Sequence, residues 1–220
     1  GCSALEHVDD LYSLTRLEYD VFSHCVSLIS VDCSDKLTAI GSSAFFGCKA
    51  LVSIGDLSNV TSIESSVFRG CIALKSIGNM PKLESIGMQC FMGCTALETV
   101  GDLSSLKEIP SETFDGCTSL VSIGDLSNVT IIGSYGFNQC KKLTSIPNLG
   151  SLERVDQFAF SGCESLALLG NLRKLTSFGN SPFVNSPFHN CPNLVLEVLP
   201  DSAAEQYAKD YNMQYTYITE

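Results

Sequence analysis

Eleven cysteines in 220 residues raise the question of chemistry at once, because thiols pair as disulfides, ligate zinc or act as nucleophiles. Their spacing separates these roles. Eight of them, at 2, 25, 48, 71, 94, 117, 140 and 163, lie 23 residues apart, and Cys191 fills the same slot after an interval of 28. There is no Cys-x-x-Cys pair of the zinc type. Side chains that share one slot of a repeat point the same way, into a core, rather than at each other. Neighbouring α-carbons would be about 4.8 Å apart, inside the range a disulfide tolerates, so direction and not distance argues against bonding. The spacing predicts a ladder of buried, reduced thiols at Cys48, Cys71, Cys94, Cys117, Cys140 and Cys163, each acting as a small hydrophobe. Cys90 takes the slot of Ala44 and is expected in the core too. Cys33, in a turn, is expected to be the exposed thiol.

The other reactive side chains form no catalytic set. His7, His24 and His189 are scattered, and no metal trio or nucleophile–base pair assembles from them. There is no phosphate loop, no Gly-x-Ser-x-Gly elbow and no His-Glu-x-x-His. A column of Asp10, Asp56, Asn79, Asp102, Asp125, Asn148 and Asn171 has ligand atoms for calcium. The favoured expectation is that these side chains accept bonds from backbone N–H groups in their own turns. Asn59-Val60-Thr61 and Asn128-Val129-Thr130 match the glycosylation sequon, which has meaning only in a eukaryotic source. The expectation is therefore of no catalytic residue, no metal and no cofactor.

What positions these residues is a repeat. Phenylalanines at 22, 45, 68, 91, 114, 137 and 160 each precede a ladder cysteine by three. A fixed period of this length marks a solenoid, in which each coil buries its apolar edge only against its neighbours. Phe45, Phe68, Phe91, Phe114, Phe137 and Phe160 are expected to stack as a second core column. The Leu-x-x-Ile segment followed by Gly-Asp or Gly-Asn predicts one strand of three or four residues per coil, in a parallel sheet along one face. The Phe-x-Gly-Cys corner predicts a tight or short helical turn opposite. The string Leu-Val-Ser-Ile-Gly-Asp-Leu-Ser-Asn-Val-Thr occurs at 51–61 and again at 120–130, an offset of 69 or three repeats. The array is placed at 1–200, with a five-residue insertion within 179–187. A C-terminal cap is placed at 201–220, where Ser202-Ala-Ala-Glu205 makes a capping box and residues 214–218 a last strand. Gly1-Cys2 falls in the slot of Gly47-Cys48, so the sequence is expected to open within a repeat.

The spacing Leu-x-x-Ile…Val-x-x-Ile-x-x-x-Ala-Phe-x-x-Cys, with Ala44-Phe45-Phe46-Gly47-Cys48 and Ala159-Phe160-Ser161-Gly162-Cys163, resembles the BspA-like leucine-rich repeat family. These are the 23-residue leucine-rich repeats of the Treponema pallidum type. The resemblance covers roughly residues 1–200. One departure is Gly55-Asp56-Leu57 and Gly124-Asp125-Leu126, where these relatives often carry Ile-Pro. The resemblance implies a leucine-rich repeat solenoid of short parallel strands, turns and short helical turns, closed by a small helix and strand. It also implies a secreted or cell-surface protein of a host-associated bacterium, one that binds or adheres to host or neighbouring-cell macromolecules. Two alternatives stay open: a passive spacer presenting other domains, or the repeat region of an enzyme whose catalytic domain lies upstream of Gly1.

Composition narrows the partner. A net charge of −11 excludes nucleic acid, and no run of 18 apolar residues exists to span a bilayer. The partner class that the resemblance implies is a protein or glycan macromolecule. The outward strand positions, among them Ser53, Ser76, Thr99, Ser122 and Ser145, make a small, smooth, uncharged face. Large apolar residues lie on the turn side instead: Phe46 and Met92 within the turn, Tyr135 and Phe158 just before it, and Phe183 in the insertion. Two readings of Tyr135, Phe158 and Phe183 stay open: they merge into a ridge that carries the contact, or they fold inward between coils and pad the core.

Overall fold

The computed structural model describes residues 1–9, 11, 13–179 and 186–219. Among these the chain winds through about nine coils of parallel strands. Each of the first eight coils contributes two strands of two residues, where the sequence predicted one of three or four. The first, on what we name the A face, is the Leu-x-x-Ile segment, as in Ser53–Ile54 or Ser76–Ile77. The second, on the B face, follows after a turn, as in Ser62–Ile63 or Ser85–Ile86. The reason lies in the residues between. After Ile54 the chain turns at Gly55-Asp56, sends Leu57 and Val60 inward, and only then extends again. Equivalent residues pair across neighbouring coils, Ser30 with Ser53 and Ser62 with Ser85, so the register is the repeat itself.

Backbone bonding runs in two senses. In the strands an N–H donates to the preceding coil: Gly55 to the Val31 oxygen at 2.8 Å and Glu64 to the Ile40 oxygen at 2.9 Å. In the turns it donates to the following coil: Phe68 to the Cys90 oxygen and Gly70 to the Met92 oxygen, both at 2.8 Å.

The sheets are not continuous. The A strands fall into three groups: 7–8, 30–31 and 53–54; then 76–77, 99–100 and 122–123; then 145–146, 168–169, 195–198 and 214–217. The B strands break once, between Ser85–Ile86 and Glu108–Ile109. Proline explains two of the three breaks, since it has no N–H to give. Pro147 stands where Gly101 and Gly124 donate to the coil before, and Pro110 stands where Gly87 and Gly133 do so. The A-face groups of three match the 69-residue duplication.

Two columns fill the interior. Phe45, Phe68, Phe91, Phe114, Phe137 and Phe160 are 0% exposed, with successive ring centroids 5.1–5.4 Å apart and planes within 10°. Beside them the thiols of Cys48, Cys71, Cys94, Cys117, Cys140 and Cys163 are free and buried. Each donates to a phenylalanine carbonyl of the preceding coil, as Cys94 does to the Phe68 oxygen at 3.0 Å and Cys117 to the Phe91 oxygen at 3.2 Å. The thiol thus supplies a donor as well as apolar volume. Cys2, and not Cys33, is the exposed thiol: Cys33 packs against the core edge, and burial pushes it up to about 11.

The cap is a helix, Ala203–Asp210, followed by the strand Gln214–Tyr217 paired to Val195–Val198. Ser202 Oγ accepts from the Glu205 N–H at 3.2 Å, and Glu205 Oε2 accepts from the Asp201 N–H at 2.8 Å. The acid therefore reaches one residue further back than an ordinary capping box. Ala204, Tyr207 and Ala208 bury the inner face, and the Tyr207 ring lies 3.9 Å from that of Phe178.

Candidate functional site

The turn side is built on a slot whose backbone is left-handed in coil after coil. Ser43, Ser66, Gln89, Glu112, Tyr135 and Phe158 all have φ between 57° and 60°. That conformation crowds Cβ against the carbonyl oxygen and costs about 1–2 kcal/mol for any residue but glycine. A bulky aromatic there is an outlier. In the first of these coils the slot carries short polar side chains. Further along they form a chain of bonds: Arg69 Nη1 donates to Gln89 Oε1 at 2.8 Å, and Gln89 Nε2 to Glu112 Oε2 at 2.9 Å. Then the column changes character. The rings of Tyr135 and Phe158 stack at 5.0 Å with planes 23° apart, and both residues are half-buried.

So two of the three sequence-chosen residues share one face and touch. Phe183 lies outside the described residues. Phe46 and Met92 are half-buried in a neighbouring column; the Phe46 ring meets His24 edge-on at 4.9 Å and lies under the Arg69 guanidinium at 5.8 Å. Beside the aromatic pair, Asn138 Nδ2 donates to Asp115 Oδ1 at 2.8 Å. Burial raises the Asp115 carboxyl, a shift the Asn138 bond opposes and nearby Glu112 reinforces. The Arg69–Gln89–Glu112 chain went unnoticed in the sequence, although residues 89 and 112 sit 23 apart like everything else.

The described aspartates of the Asp/Asn column accept from backbone N–H groups of their own turns, whereas its asparagines do not: Asn79 Oδ1 accepts from the Asp102 N–H of the next coil, Asn148 Oδ1 from Asn171 Nδ2 and Asn171 Oδ1 from Arg173 Nε. Asp56 Oδ1 accepts from the Ser58 N–H and Asp125 Oδ1 from the Ser127 N–H, both at 2.8 Å. Asp10 lies outside the described residues. Among those described, no three His, Cys, Asp or Glu side chains gather as a metal site would require. Among the described residues no helix is long and apolar enough to cross a membrane. The sequon amides are engaged in the turns, Asn59 Nδ2 donating to the Asp35 oxygen and Asn128 Nδ2 to the Ser104 oxygen, each at 2.8 Å. A stacked, half-exposed aromatic pair among amides and carboxylates offers a surface for contact.

Comparison with known proteins agrees with this architecture. Among solved structures, the leucine-rich repeat protein of T. pallidum is 24% identical, with 98% of this chain and 87% of that chain covered and a TM-score of 0.61. A leucine-rich repeat protein from Eubacterium ventriosum is 20% identical over 84% of this chain and 62% of its own, with a TM-score of 0.63. One from Bacteroides ovatus is 23% identical over 99% and 79%, with a TM-score of 0.50. At such identities the likeness is one of fold. No curated protein sequence matches. The family described as BspA type leucine rich repeat region, however, matches in six copies over residues 1–98 and 84–195. With that span covering nearly every coil, the chain belongs to the BspA-type leucine-rich repeat family.

Proposed function

We propose that this chain is a non-enzymatic binding module, secreted or displayed at the cell surface, that engages a host or neighbouring-cell macromolecule through its turn side at Tyr135 and Phe158. The family commonly mediates protein binding, and the proposed partner is a protein or a glycan. One observation carries the choice of face: two consecutive coils hold aromatic rings, stacked and half-exposed, in a left-handed backbone slot. Every coil from Ser43 to Phe158 bears the cost of the left-handed slot, whatever side chain it carries. What sets these two coils apart is the size and apolar character of rings left half-exposed there, which suits contact with a partner. Phe183, outside the described residues, is kept as a third candidate.

The test is capture from extracellular-matrix and mucus preparations by the protein and by a Tyr135→Ser/Phe158→Ser variant. The variant is expected to keep its thermal midpoint and lose at least nine-tenths of the captured material. Capture unchanged in a folded variant would remove this face from the proposal.

A further inference from the structure

The A face holds two openings that the turn-side reading does not use. Where A strands pair, the inward residue is sealed: Val31, Ile77, Val100, Ile146 and Leu169 are at most 3% exposed. Ile54 and Ile123, the last strands of their groups, are half-buried. No described residue donates to the Ile54 or the Ile123 carbonyl. The glycines tell the same story independently. A Cβ on Gly55, Gly101, Gly124 or Gly170 would come within 2.2–2.5 Å of the preceding coil, whereas one on Gly78 would meet nothing within 4 Å. Pro147 occupies the matching position at the second opening.

Each opening therefore has an apolar floor and a carbonyl oxygen without a donor, and each has an exposed carboxylate at its rim. At the second, Ile123, Leu126, Ile146 and Pro147 line the cleft beside Asp125; at the first, half-buried Ile54, exposed Asp56 and Gly78 occupy the same slots three coils earlier. Each carboxylate spends its turn bonds on one serine, Asp56 on Ser58 and Asp125 on Ser127, leaving further lone pairs outward. An apolar stem tipped by a multi-donor cation fits this combination: the stem covers the floor while the head bonds carbonyl and carboxylate.

We infer that the two clefts at Ile54–Gly78 and Ile123–Pro147 are equivalent pockets for arginine or lysine side chains of a basic partner protein, spaced by three coils. The net charge of −11 matches such a partner. Three coils of about 4.8 Å place the pockets about 14 Å apart. An extended chain advancing about 3.4 Å per residue covers that span in four residues, so the recognised pattern is a basic residue, three spacers and a second basic residue.

The probes are synthetic Ac-Arg-Ser-Gly-Ser-Arg-amide, the same peptide with citrulline for arginine, and Ac-Arg-Gly-Arg-amide. NMR titration at two salt concentrations reports both affinity and place. The four-residue spacing is expected to bind at least tenfold tighter than the two-residue spacing, because the second contact becomes intramolecular. Shifts should centre on residues 54–56, 78, 123–126 and 147–148, and the citrulline peptide should lose them. Asp56→Asn and Asp125→Asn each leave the Ser58 or Ser127 N–H an amide oxygen to bond, should leave the thermal midpoint unchanged and should each cost at least fivefold; either one should erase the spacing preference. Affinity independent of spacing, shifts spread over the acidic surface, or no binding would each overturn the inference. None of these outcomes touches the turn-side variant above, so the two proposals fail separately.

Discussion

The thiol ladder makes the fold sensitive to alkali, and the size of the effect follows from burial. Desolvation drives the thiols of Cys71, Cys94, Cys117 and Cys140 well above their ordinary range, and those of Cys90 and Cys163 upward too. An unfolded thiol ionises near pH 8.5. Above that value the unfolded chain has released protons that the folded chain still holds, so stability falls as pH rises; below it the contribution is fully present. Cys33, Cys48 and Cys191 are raised by burial as well. One unit higher, at pH 9.5, each unfolded thiol gains about 1.4 kcal/mol, and the nine together gain about 13 kcal/mol. A domain's whole stability is about 5–15 kcal/mol. The array should therefore unfold cooperatively between about pH 9 and pH 10 under reductant, with roughly eight protons released per molecule. Urea unfolding followed by circular dichroism at half-unit pH steps measures the loss directly. A Cys94→Ala variant, less stable at pH 7, should show a slope shallower by about 1.4 kcal/mol per pH unit. If stability at pH 9.5 equals that at pH 7.5, the column is not a set of buried neutral thiols.

Three further outcomes follow. Phe91→Ala removes a ring stacked on both sides, at 5.2 and 5.3 Å, and should cost about 3–5 kcal/mol in denaturant unfolding; Phe22→Ala, half-buried with one ring partner, should cost clearly less, and equal losses would deny that the column is cooperative. A thiol reagent at pH 8 should label Cys2 first and Cys33 and Cys191, both pushed up to about 11 by burial, far more slowly; rapid labelling of ladder thiols in the folded protein would contradict the packing. Glu205, held down to about 2 by its bonds with Lys209 and Tyr217, anchors the cap helix in its charged form. That contribution is present above about pH 4.3 and is lost as pH falls toward 2, so helix amide exchange should accelerate over that window and Glu205→Gln should flatten the response; exchange indifferent to acid would refute the anchor.

The solenoid was legible in the sequence because each coil repeats the same inward slots, so Phe and Cys spacing alone located the columns. The second strand of each coil was not. Its two residues, such as Ser62–Ile63, carry the same small-then-apolar signature as ordinary turn-flanking positions, and only neighbouring coils make them strands. Pro110 and Pro147 were visible, but their effect depends on which backbone N–H the stack needs at that slot. Tyr135 and Phe158 could be seen to share a column; their left-handed backbone and half-burial could not, since no local motif distinguishes that slot from the turn around it. Cys33 misled because turn residues are usually exposed, whereas its slot packs against the next coil at Gly55. The outward residues that break the period, Tyr135 and Phe158 among them, are where a repeat pattern says least.

The two senses of backbone bonding have an electrical consequence. In an α-helix every peptide dipole points one way, and the ends carry about half a charge each. Here the strand dipoles of a coil oppose its turn dipoles, so the two partly cancel along the stack. An added coil therefore brings less axial dipole than a run of helix would, and the string at 51–61 recurs at 120–130, three coils on, in the same sense. The end faces are coded instead: one offers strand donors beside turn acceptors, the other strand acceptors beside turn donors. A further coil fits such a face in a single orientation, which restricts growth of the array to the sense it already has.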